Sequence, residues 1–305
     1  MNDRLYKQLV SQTQMVEELF SSFVREQWVN RLDFSTLEKV NGSYISDDLR
    51  DREDDIIWRV RIGESWIYLY ILLKFQSTVD RYMAVRLLTY TGLLYQDLLK
   101  SGQVKGKKKL PPIFPLVLYN GEKRWNAATD LQLLIDHMPE GLEQYQPRYR
   151  YLVIDEGSYQ TNDLEAHRNL VAALFQLEHR RDPETLLRVV GHLVDWLETP
   201  EAESLRRSFI HWLKRVFLPE HTPNQNYETI EELVEVQTML EKRVKQWKKE
   251  WKAEGLAEGR LEGKLEGKLE VARGLILQGI SLDVIATATG LSREELETLR
   301  RNMES

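Results

Sequence analysis

The run WIYLYILL, from Trp66 to Leu73, limits most strongly what this chain can become. It mixes aromatic and branched aliphatic residues, and it is far too short to span a bilayer, which takes about 20 residues of helix. It fits a strand buried on both faces, and so a central strand of a sheet. The run ends in Lys74-Phe75-Gln76. Residues two apart on a strand share a face, so Lys74 and Gln76 point the same way. Upstream, DIIWRVRI (Asp55 to Ile62) alternates: Ile56, Trp58, Val60 and Ile62 face one side, Ile57, Arg59 and Arg61 the other. That is a half-buried strand. Gly63-Glu64-Ser65 is a tight connection, so the two strands form a hairpin. The hairpin brings Asp55 near the Lys74 end, converging an acid, a cation and an amide at one sheet edge.

The rest of the chain reads as an α/β or α+β core over residues 1–217, a linker over 218–226, and a helical tail over 227–305. Residues 3–30 are helical, with a stripe of Met15, Val16, Leu19, Phe20 and Phe23. Ser35 to Val40 reads as a short helical turn ended by Asn41-Gly42-Ser43, and Ser43–Ile45 as a short extended segment. Asp80 to Lys100 is a helix capped by Thr78 or Asp80, with Tyr82, Val85, Leu88, Leu93 and Leu94 inward. Ile113–Tyr119 and Arg150–Ile154 are further strands. Asp163 to Phe217 is mostly helical, broken near Asp182-Pro183 and Thr199-Pro200. PEHTPNQN (Pro219 to Asn226), with two prolines and no apolar residue, is the linker.

Composition excludes several chemistries. With no cysteine there is no disulfide, no Cys-ligated zinc and no thiol nucleophile, which suits a reducing compartment. The start, MNDRLYKQLV, is polar and mixed in charge, unlike a signal peptide, so the expected location is the cytoplasm, with no membrane partner. A net charge of -6 argues against a surface that binds nucleic acid everywhere but leaves room for local basic patches. None of His137, His167, His179, His192, His211 and His221 has zinc-type spacing, which leaves them surface or packing roles.

In the tail, Ile230, Leu233, Gln237, Leu240, Val244, Trp247 and Trp251 alternate spacings of three and four, a heptad seam. The seam either drives self-association or packs on the protein's own core. Next, EGRLEGKLEGKLE repeats glycine every four residues from Gly255 to Gly267. Each Gly costs a helix about 1 kcal/mol relative to Ala, so the repeat is a labile linker or an assembly surface. Ser292-Arg293-Glu294-Glu295 fits a capping box, and two short helices meet through Thr289-Gly290-Leu291, like a helix-turn-helix. Glu294, Glu295 and Glu297 would repel phosphates, so an oligomerisation or protein-binding module competes with a DNA reader there.

SYISDDLRDREDDIIWRVRI, LLKFQSTVDRYMAVRLLTYTGLLYQDL and LPPIFPLVLYNGEKRWNAATDL resemble the Rpn family of recombination-promoting nucleases, also described as transposase-like, within the PD-(D/E)XK nuclease superfamily. The resemblance covers about residues 1–200, and the Glu-Gly repeats and GLSREELETL end resemble the family's C-terminus. It implies a mixed central sheet flanked by helices and a metal-dependent DNA endonuclease that promotes recombination. In that superfamily two acids bind Mg²⁺, which activates a water against the phosphate. By this mapping Asp55 is the first metal ligand, Gln76 holds the water-orienting position, and Glu38 is an upstream helical carboxylate. The second acid belongs at position 74, where Lys74 stands. Lys74 then either disables the site or acts as the catalytic cation, with Asp54 or Glu53 helping to hold metal. The alternative function is a catalytically impaired relative that binds DNA or self-assembles through its tail. Arg81 and Arg86, together with the loop lysines Lys105, Lys107, Lys108 and Lys109, are candidate phosphate contacts. Salt bridges on a helix surface and a solvated loop are the plainer roles for them.

Overall fold

The computed structural model describes residues 2–40, 55–74, 79–106, 108–137, 139–179, 182–222 and 225–304. It divides into two compact units, residues 1–240 and 241–305.

In the first unit a five-stranded sheet has the order β1-β2-β3-β4-β5, with β1 at Asp33–Lys39, β2 at Asp55–Ile62, β3 at Ser65–Lys74, β4 at Ile113–Tyr119 and β5 at Leu152–Asp155. The strands β1, β2 and β3 form an antiparallel meander, and β4 and β5 continue parallel to β3. The sheet is therefore mixed, and β3 is central and buried along nearly its whole length, as its apolar run requires. The β2–β3 hairpin closes through Gly63 and Glu64, with Ile62 opposite Ser65. Gly63 has φ +57°, a conformation that glycine adopts without a side-chain penalty.

Helix α1 (Asn2–Val10) and helix α2 (Thr13–Phe23) precede the sheet, and α3 (Met83–Lys100) is the crossover from β3 to β4. Then come α4 (Thr161–His167), α5 (Leu170–His179), α6 (Pro183–Trp196), α7 (Glu203–Trp212) and α8 (Leu218–His221). Strand alternation splits the core. Ile56, Trp58, Val60, Leu69, Ile71, Leu73, Leu116, Leu118 and Ile154 pack with α1, α2, α5, α6 and α7. Ile57, Tyr68, Tyr70, Leu72, Val117 and Tyr119 pack under α3. Asp182 caps α6 by accepting from the Thr185 backbone N–H at 2.8 Å, and Pro183 starts the helix, so the break expected at Asp182-Pro183 is a helix start.

Four sequence expectations change. Residues 35–40 are not a helical turn: Ser35 to Lys39 belong to β1, an edge strand whose backbone pairs with β2. The buried face of α3 is Met83, Ala84, Leu87, Tyr90, Thr91, Leu94 and Leu98, while Tyr82 and Val85 are exposed. The segment after Phe217 is not wholly a linker. The chain stays helical through His221, whose buried ring stacks on Phe217 at 4.2 Å, and Thr222 is buried as well. The core also continues past the expected boundary, because Ile230, Leu233, Val236 and Leu240 are buried in it. The start of the heptad seam thus covers the protein's own core. The extended segment expected at 43–45 lies outside the described residues.

A 45-residue helix, α9, runs from Leu233 to Leu277. In the second unit Gly255, Gly259, Gly263 and Gly267 lie within it, and a Cβ at each would meet nothing within 4 Å. Ala272, Ile285, Leu291, Leu296 and Leu299 form a small core between the end of α9, α10 (Leu282–Thr289) and α11 (Arg293–Glu304). The capping box is present: the Ser292 backbone N–H donates to Glu295 Oε2 at 2.7 Å, and the Glu295 N–H donates to Ser292 Oγ at 3.2 Å. No helix among the described residues is long and apolar enough to cross a membrane.

Candidate active site at the end of the sheet

Because β3, β4 and β5 are parallel, their carboxyl ends lie together, and Lys74, Tyr119 and Asp155 are aligned across them in register. Asp55 opens β2 opposite Leu72, two residues before Lys74. The structure therefore brings positions 55 and 74 to one end of the sheet, on neighbouring strands. Gln76, Glu53, Asp54 and Lys107 lie outside the described residues.

Lys74 is 9% exposed, on the side of the sheet covered by α3. Tyr119 beside it is fully buried, and its hydroxyl has no hydrogen-bond partner among the described residues. Burial raises the Tyr119 pKa, and the Asp155 carboxylate adds to the rise. Asp155 accepts from Arg124 Nη1 at 3.1 Å and from the Trp125 backbone N–H at 3.0 Å. Gly121, in the Asn-Gly turn after β4, is required there, because a Cβ would come within 2.2 Å of the Tyr119 hydroxyl.

The other candidates spread out. Glu38 is on strand β1, not a helix, and lies in register with Arg59, whose Nε donates to Glu38 Oε2 at 2.8 Å. Arg59 is four residues along β2 from Asp55, about 13 Å at the usual strand rise. Arg81 and Arg86 sit at the start of α3. Arg81 lies over the exposed Tyr82 ring at 5.7 Å, and Arg86 pairs with Asp80 at 3.9 Å and bonds the Tyr90 hydroxyl. The exposed Lys105, Lys108 and Lys109 follow the other end of α3, away from Lys74. Among the described residues no cluster of three acids or histidines suited to a metal ion occurs. The buried ammonium at position 74 is no ligand for a divalent cation, which takes oxygen ligands, and the Glu38 carboxylate is engaged by Arg59.

Pattern reading missed a second ionisable cluster on the opposite face. Tyr6 of α1 donates its hydroxyl to Glu156 Oε1, and His179 Nε2 lies 3.6 Å from Glu156 Oε2. Glu156, just past β5, is 1% exposed, and burial pushes its pKa well above the usual carboxylate range. Burial, with Glu156 adding, pushes Glu178 up to about 7, against a hydrogen bond from Asn120. Tyr6 and Glu156 are 150 residues apart, so no local motif announces the pair.

An antiparallel meander, a helical crossover and parallel strands, with ionisable residues at their carboxyl ends, define a nuclease-like α/β fold. Residues 1–208 match the family described as “Putative transposase, YhgA-like”, and residues 265–301 match the “Rpn/YhgA-like nuclease family, C-terminal HTH domain”. The chain belongs to the Rpn/YhgA-like family. The recombination-promoting nuclease RpnA of Escherichia coli (strain K12) is 29% identical over 120 residues, covering 39% of this chain and 40% of that protein. RpnD of Escherichia coli O157:H7 is 24% identical over 122 residues, 40% of this chain and 46% of that protein. The inactive recombination-promoting nuclease-like protein RpnE of Escherichia coli (strain K12) is 22% identical over 185 residues, 61% and 60% of the two chains. The chain thus spans between 40% and 60% of the length of these relatives. No solved structure gives a significant match.

Proposed function

We propose that this protein is a DNA endonuclease of the PD-(D/E)XK type that promotes recombination, with its site at the Asp55–Lys74 end of the sheet. One observation carries the reading. Asp55 opens β2 in register with Leu72, and Lys74 ends the neighbouring strand two residues on, and this nearness of positions 55 and 74 supports the reading. Hydrolysis adds water oxygen to phosphorus and expels a sugar oxygen, so the site must orient water and offset charge on the phosphate. Asp55 supplies a carboxylate, and Gln76 an amide for the water. Any Mg²⁺ dependence falls to Asp55 with Glu53 and Asp54, because Lys74 repels a divalent cation. A plasmid-nicking assay with Mg²⁺, and with EDTA in its place, tests the reading. Nicking is expected with metal only, and intact plasmid under both conditions overturns it.

Lys74 favours a second reading, in which the chain binds DNA without cutting it. A buried cation stands where the family pattern has an acid, and RpnE is by name an inactive relative. The C-terminal helix-turn-helix supports DNA as the partner in either case. Self-association through the tail completes the proposal. The leucines Leu256, Leu261 and Leu265 of α9 are exposed and suit a second copy. Light scattering of the full chain should give a mass above 36.0 kDa, and a monomer at micromolar concentration removes this part.

A further inference from the structure

At the end of the sheet away from Lys74, still on the α3 side, a groove of about 980 Å³ lies between the β1–β2–β3 meander and the segment that follows α3. Lys39, Arg59, Lys108 and Lys109 line it, with Glu38 and Glu64 as its carboxylates. Arg61, beside the groove rather than in its lining, adds a fifth cation: its guanidinium carbon lies 4.7 Å from the ring centroid of Trp66, a lining residue, with that of Arg59 at 4.6 Å. Glu38 is occupied by Arg59. Arg61, Lys39, Lys108 and Lys109 have no carboxylate partner among the described residues, in a chain whose net charge is -6. Such clustering is local, and it gives the groove a positive potential that composition does not. Burial, with Lys7 as a smaller cause, lowers the Lys39 pKa, as expected where a cation lacks a counter-charge.

The walls are tied together. Gln103 Oε1 accepts from the Tyr68 hydroxyl at 3.0 Å and from Arg59 Nη1 at 3.3 Å. The Tyr68 backbone N–H donates to the Pro112 carbonyl at 2.9 Å, which fixes the end of the lysine segment to β3. Tyr68 is six residues from Lys74 on one strand, about 20 Å at the usual rise. That distance corresponds to roughly six base pairs of duplex.

We propose that this groove is a second nucleic-acid contact, gripping the phosphodiester backbone of duplex DNA through Lys108, Lys109 and Arg61, about six base pairs from the Lys74 end. It rests on the DNA reading above and adds a grip remote from the cleavage site. The groove carries cations from both the meander and the segment after α3, which suits an extended polyanion.

The test uses the full chain and a fluorescein-labelled 24-base-pair duplex, read by anisotropy in EDTA so that binding is measured without cleavage. Affinity is followed across KCl concentrations. Lys108→Ala/Lys109→Ala should weaken binding at least tenfold and reduce the salt slope by about two, because each neutralised phosphate contributes about 0.9 to the slope. Arg61→Ala should reduce the slope by about one, and Arg61→Lys should keep it. All three side chains are exposed, and matching thermal melts check that the variants fold. Unchanged affinity and slope in the variants, with wild type binding well, overturn the groove and leave the DNA reading intact. No duplex binding by wild type at low salt overturns both. If a poly-glutamate peptide shows the variant sensitivity and the duplex does not, the groove serves an acidic protein partner and the proposal fails.

Discussion

The two faces of the sheet treat charge at the carboxyl ends of β3, β4 and β5 in opposite ways. On the face covered by α1 and α5, Glu156 is buried beneath the Tyr6 hydroxyl, and burial drives its pKa up. On the face covered by α3, Asp155 is held by a guanidinium and a backbone N–H, and Lys74 ends the central strand. The first face buries its ionisable group within a core. The second arranges charged groups where the motif positions converge. Adjacent residues, Asp155 and Glu156, thus sit in different environments, one held by Arg124 and the other buried beside Tyr6.

Removing the acid at the start of β2 should have the largest effect. Asp55→Asn keeps the shape and deletes the carboxylate. Mg²⁺-dependent nicking should fall by at least about 100-fold, roughly 3 kcal/mol of barrier, with the melting transition still cooperative. Equal nicking by the variant would mean that the Asp55–Lys74 end of the sheet is not the catalytic one. Lys74→Glu comes next. It restores the acid of the family pattern, and nicking should rise by at least about tenfold, close to 1.4 kcal/mol, with tighter metal binding in a titration. A lower rate would identify Lys74 as the catalytic cation, and unchanged metal affinity with unchanged or lower cleavage would put the metal site elsewhere.

Strong local patterns made much of this face legible in advance. The apolar run of β3, the alternation of β2, the Gly63 turn and the strand Ile113–Tyr119 all stand where the sequence puts them. β1 was hidden because Phe34, Leu37 and Val40 are three apart, a helical spacing, while backbone pairing to β2 decides the outcome. Glu38 shared that error: it lies on β1 rather than a helix, paired with Arg59. His221 and Thr222 sit in a stretch without apolar residues, yet ring stacking on Phe217 and a Thr222 hydroxyl bond to the Leu218 carbonyl at 2.9 Å bury them. The Tyr6–Glu156 pair was invisible for another reason: its members lie 150 residues apart in the chain.

The face covered by α1 and α5 offers the smallest predicted effect. Glu178 has its pKa raised to about 7 by burial and by Glu156. Unfolded, it returns to an ordinary value of about 4.3. Below that value both states are protonated, and the group contributes nothing to the pH dependence. Between the two values the unfolded chain ionises while the folded one keeps its proton, so stability falls as pH rises. Above about 7 the loss is complete. The charged and titratable neighbours are Glu156, His179 and Glu220, and Asn120 donates a hydrogen bond that lowers the pKa. Glu178→Gln keeps an acceptor for Asn120 and cannot ionise. Its melting temperature relative to wild type should climb between pH 4 and 8, by an amount on the order of 1 kcal/mol once partial exposure is discounted, or about 2–4 °C for a unit of this size. A difference that stays flat with pH would show that Glu178 ionises normally, and the contrast between the faces would then narrow to Glu156 alone.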